Sequence, residues 1–125
     1  MTNLQQVIDE SRPMLHEFLS DLGLQRESEP LKLAALLGAF SNWLSAQEVS
    51  EEDFAYLASR IAAFICEYII EGNYGTRVIK DNRILIHMPI QAGVIREFDP
   101  YRTACCIVSS HVNLEEFLKT MCNGK

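Results

Sequence analysis

Apolar residues in the N-terminal part of the chain recur at helical spacing. Leu4, Ile8, Leu15, Phe18 and Leu22 share one stripe, with Ser11 set into it, which predicts an amphipathic first helix. Pro13 removes a ladder donor, so a kink or restart is expected near Ser11. Gly23 suits the left-handed position past the helix end, with Leu24 folding back onto Leu19. Pro30 fits a first-turn slot, and a second helix is expected from about Pro30 to Ala46. Its buried stripe is Leu33, Leu37, Phe40 and Leu44, widened by Leu36 and Trp43. Gly38 inside it costs about 1 kcal/mol relative to Ala and points to close packing there.

The third helix carries the strongest start signal. Ser50 and Asp53 have capping-box spacing, with Val49 and Phe54 at the staple positions. From Phe54 to Ile70 it is apolar nearly all round, and Glu52, Arg60, Glu67 and Glu71 leave a narrow polar strip. Such a helix is expected at the centre of the fold, ending at Gly72.

Past "EGNYG" the period changes to two. "TRVIK" and "RILIHM" flank Asp81-Asn82, which predicts a hairpin with a two-residue turn. Pro89 and Gly93 bracket a loop before a third strand, Val94–Phe98. Asp99-Pro100 then reads as a helix start, with Tyr101, Ala104, Cys105 and Val108 on one face. Asn113 and Glu116 open a last helix, with Val112 and Phe117 as staple. The fold class expected is α+β over residues 1–125: three N-terminal helices, a small three-stranded antiparallel sheet, then two short C-terminal helices.

Charge adds an asymmetry to this picture. The net charge is −6, with 12 acidic and 4 basic side chains in residues 1–71 against 5 and 7 in residues 72–125. An acidic majority repels phosphate backbones, so no nucleic-acid partner is expected. No apolar run reaches the roughly 20 residues of a membrane span, and the start lacks a basic-then-apolar leader. A cytoplasmic location with reduced cysteines is therefore expected.

Adjacent Cys105 and Cys106, ahead of His111, raise the question of a metal or redox site. Neighbours on a helix diverge by about 100°, and the C-x₂₋₄-C spacing of zinc sites and the C-x-x-C of redox pairs are missing. Cys105 is expected to pack in the core. Neither metal nor cofactor is expected, and no catalytic set is found: His16, His87 and His111 fall on separate elements.

The hairpin register supplies the first binding candidates. It places Val78, Lys80, Arg83, Leu85 and His87 on one face, while Ile79, Ile84 and Ile86 share the other with Arg77. The isoleucine face is expected to pack on the third helix. Val78 and Leu85 would then form an apolar centre rimmed by Lys80, Arg83 and His87, a docking patch for a protein partner or a second copy in a homodimer. The alternative is that Val78 and Leu85 lie under another segment, the C-terminal helices, with Asp81 offsetting the facing Lys80 and Arg83. The second candidate is the acidic start of the third helix, Glu48, Glu51 and Glu52, which could steer a basic target.

Together these features predict a non-catalytic protein-binding domain. An inhibitor or antitoxin-like immunity protein acting through an acidic helical surface is an analogy from size and charge. The alternative is a small-ligand-binding or regulatory domain with a pocket between sheet and helices.

Overall fold

A computed structural model describes residues 4–122. The chain forms α1 (Leu4–Asp21), α2 (Leu33–Ser45), α3 (Glu51–Glu71), β1 (Thr76–Lys80), β2 (Arg83–Gln91), β3 (Val94–Phe98), α4 (Pro100–Ser110) and α5 (Leu114–Cys122). The three strands form one antiparallel sheet in the order β1-β2-β3, so the architecture is α+β. No helix among the described residues is long and apolar enough to cross a membrane.

Local chemistry explains most boundaries. Helix α1 runs unbroken through Pro13, so the expected restart does not occur; Pro13 lies exposed on the helix. The helix closes as a Schellman turn: Gly23 N–H donates to Ser20 O and Leu24 N–H to Leu19 O, both at 3.0 Å, with Gly23 at φ +79°. Ser50 caps α3 by accepting the Asp53 N–H at 3.2 Å. Asp99 caps α4 by accepting the Tyr101 and Arg102 N–H groups, and Asn113 caps α5 by accepting from Glu116 N–H.

Helix α2 starts later than expected, at Leu33 rather than near Pro30. Lys32 at its N-cap makes no side-chain cap bond. Instead the Leu33 N–H donates to Glu71 Oε2 of α3 at 3.1 Å. A carboxylate from 38 positions away thus satisfies an orphan donor that local sequence would have assigned to a neighbour.

Helix α3 is the centre of the core, with Ile61, Phe64, Ile65 and Ile69 fully buried. Leu15 and Leu19 of α1, Phe40 of α2, Ile86 of β2, Ala104 of α4 and Leu118 of α5 close around it. Phe40 and Phe64 are in ring contact at 4.7 Å. The helix stops at Gly72, where a Cβ would fall 2.3 Å from the Tyr74 ring, so only glycine allows Tyr74 to fold back there. The buried face of α4 is Pro100, Ala104 and Ile107, with Cys105 and Val108 on its flank. Tyr101, expected on that face, is exposed. One face of α2 meets α5 through Ser41, which accepts the Glu115 N–H and donates to Asn113 Oδ1.

The hairpin has the expected register, Thr76↔His87, Val78↔Leu85 and Lys80↔Arg83. Asp81 and Asn82 both take positive φ, 53° and 59°, as a type I′ turn requires. Strand β2 extends through Pro89 to Gln91 with a bulge between them, so the loop expected from Pro89 to Gly93 shrinks to Ala92 and Gly93.

The two faces of the hairpin are not divided as the sequence suggests. Ile86 and Met88 are core residues, and Ile84 is half-buried, but Ile79 is 48% exposed. Leu85, expected to be exposed at the centre of a patch, is 3% exposed, and Val78 is half-buried.

Candidate functional site

The face holding Leu85 carries side-chain pairs to Glu97 of β3 and to Asp99 just past it, and Leu85 lies near Arg102 and Cys106 of α4 and Phe117 and Met121 of α5. His87 Nε2 lies 2.6 Å from Glu97 Oε2, Lys80 Nζ lies 3.5 Å from the same oxygen, and Arg83 Nη1 lies 3.4 Å from Asp99 Oδ2. By register, Lys80 on β1 and Glu97 on β3 flank β2, so their contact crosses the middle strand at Leu85. The facing Lys80 and Arg83 are thereby offset by Glu97 and Asp99, and not by Asp81. The His87 hydrogen bond, together with the Lys80 charge, holds the Glu97 carboxyl below its usual range. Val78, Lys80, Arg83, Leu85 and His87 are therefore brought together, but as a paired polar layer over a buried leucine. An open apolar centre is missing.

A different part of the sheet is open. At the far end of the β2–β3 hairpin, Ile90 is 48% exposed, Val94 39% and Ile95 62%. Three large β-branched side chains on one short hairpin end, with β3 at the sheet edge, leave both apolar surface and unpaired backbone groups facing out. Beneath the hairpin end lies a groove of about 550 Å³, whose walls include Ile90 and Arg96 on the sheet side and Val112, Phe117 and Met121 on the helical side. Val112, 42% exposed, lines this groove with Phe117 and also lines a second groove of about 290 Å³.

That second groove runs between the end of α2, the start of α3 and the end of α4, and includes Val49 and Phe54. Glu48, Glu51 and Glu52 are all exposed at this start of α3, and none of them forms an ion pair among the described residues. The two grooves share Val112 as a lining residue, and the acidic candidates lie close in sequence to Gln47, Val49 and Phe54 of the second. The sequence signal for the hairpin end was present in "PIQAGVI", an uncharged apolar run in an edge position.

The histidines and cysteines do not converge. His16 on α1 contacts the Arg26 carbonyl at 3.2 Å, and His111 ends α4 in the left-handed region at φ 52°. Cys105 is half-buried against the core, whereas Cys106 beside it is exposed, as their divergence on a helix requires. Among the described residues no group of three or more His, Cys, Asp or Glu side chains is placed to hold a metal ion.

A buried charge cluster among the described residues ties elements together. Glu67 of α3, 6% exposed, accepts from Arg77 Nη1 of β1 at 2.6 Å and lies 3.8 Å from Arg12 of α1. Arg12 also donates to the Leu31 carbonyl at 2.6 Å and lies 3.6 Å from Glu71. Every charge in this cluster has an opposite charge, the arrangement expected of a structural clamp. No family model, no curated protein and no solved structure matches the chain.

Proposed function

We propose that this chain is a non-catalytic protein-binding domain whose contact surface is the β2–β3 hairpin end and the free edge of β3. The observation that carries this reading is the exposure of Ile90, Val94 and Ile95 at one hairpin end, where Ile90 and Arg96 also wall the groove that Val112 lines. An apolar centre of this kind, rimmed here by Arg96 and Glu116, has the anatomy of a protein interface. A partner strand added along β3 would satisfy its outward backbone groups, and apolar side chains from the partner would enter the groove. The acidic start of α3, whose Phe54 lines the second groove, supplies steering toward a partner with a basic surface, as an inhibitor of a basic protein would use.

Ile95→Asp tests the reading. At 62% exposure the substitution is expected to change stability by no more than about 0.5 kcal/mol, so its effect on binding stands apart from folding. A complex isolated with the parent chain should be lost with the variant, while the two melt together. Retention of the complex by a folded variant would contradict the proposed surface.

A further inference from the structure

The remaining exposed large apolar side chains gather at a second place. Val7 and Tyr101 line a half-enclosed cavity of about 260 Å³ between α1, α3, the sheet and α4, while Tyr56 stacks on Arg60 and Ile79 pairs with Ile84, both of which belong to its wall. Its interior is nearly all apolar. Ile8 and Met14 come from α1, Ile84 from β2 and Pro100 from α4. The hollow exists because α3 presents Ser59, Ala62 and Ala63 at i, i+3 and i+4, where larger side chains would fill it.

Two arginines line this cavity, and they differ. Arg77 is committed to Glu67 at 2.6 Å. Arg60 has no ion pair among the described residues: its guanidinium lies over the Tyr56 ring at 4.4 Å, and its Nη1 reaches only Ser59 Oγ at 3.4 Å. Its Nε is buried without a hydrogen-bond partner. That Nε is closed to solvent, so the outer N–H groups of this permanent cation, which no carboxylate among the described residues pairs, are the donors an anionic oxygen would complement.

We propose that this cavity binds a small amphipathic carboxylate, with its apolar body against Ile8, Ala63 and Ile84 and its carboxylate on Arg60. An apolar cavity of about 150 Å³ holds benzene. The larger space here fits a body of roughly ten non-hydrogen atoms, such as a medium-chain alkyl chain or one substituted ring. This site is separate from the hairpin end and does not rest on the protein-binding reading.

Octanoate is the probe, octanol its uncharged counterpart, and methyl NMR of the full chain the readout. Octanoate should shift the Ile8, Met14 and Ile84 methyl signals saturably and bind about tenfold tighter than octanol. Arg60→Gln should bring octanoate down to the octanol level, and Ala63→Leu should remove both ligands by filling the hollow. If Ala63→Leu fails to fold, Arg60→Gln alone decides. Absence of saturable shifts at these methyls, shifts confined to the hairpin end, or an octanoate preference that survives Arg60→Gln would each overturn the site.

Discussion

Arg77 of β1 donates to Glu67 of α3 at 2.6 Å, joining the first strand of the sheet to the central helix through a carboxylate that is almost fully buried. Removing one partner strands the other in a site that water reaches poorly. Glu67→Ala is therefore expected to destabilise the chain by about 2–4 kcal/mol, at the lower side of the range for buried pairs because the Arg77 side chain keeps 19% exposure. Arg77→Met combined with Glu67→Met should cost less than Glu67→Ala alone. Urea midpoints of the three chains check this, and a double variant weaker than the single would contradict it.

Leu85 is 3% exposed beneath the Lys80–Glu97 contact, so a charge there is forced into apolar surroundings. Leu85→Asp should lower stability by about 3–5 kcal/mol, read as a large drop in melting temperature. A variant that melts like the parent would show that this face is not sealed.

Stability should fall at both ends of the pH range, for different reasons. The Glu97 carboxyl is held below its ordinary value, chiefly by His87, so its contribution is complete above that ordinary value and is lost as pH falls through the lowered one. Glu97→Gln should flatten the acid limb of a stability–pH curve. Burial pushes the Cys66 thiol from 9.0 up to about 12. The unfolded chain therefore releases this proton first, and stability declines as pH rises from about 9 toward about 12. Cys66→Ala should flatten the alkaline limb.

The thiols should also separate by access. Native protein treated with iodoacetamide near neutral pH is expected to be labelled first at exposed Cys106, while Cys66, buried and held protonated, reacts only after unfolding. Peptide mass spectrometry gives the order, and early labelling of Cys66 would contradict its burial.

Where the fold was legible in the sequence, the signal was local. Gly23, Ser50, Asp81-Asn82, Asp99-Pro100 and Asn113 each mark a boundary through chemistry that acts within a few residues, and the structure places a turn or cap at each. The start of α2 was not legible, because Glu71 caps it from α3. Nor were the faces of the hairpin: β2 alternates Ile84 and Ile86 with Leu85, so both faces read as apolar, and the pairing of Lys80, Arg83 and His87 with Glu97 and Asp99, beside residues of α4 and α5, leaves Leu85 buried. The open surface lies one hairpin further on, past the bulge between Pro89 and Gln91.

The protein-binding surface is tested most directly by placing the photo-crosslinker benzoylphenylalanine at Ile95 of the full chain and irradiating it in its source cell. The same group at Glu17, exposed on α1, serves as the control. The proposed surface predicts one discrete protein adduct from position 95, whether to another protein or to a second copy of this chain, and none from position 17. No adduct from position 95, or the same diffuse products from both positions, would contradict it.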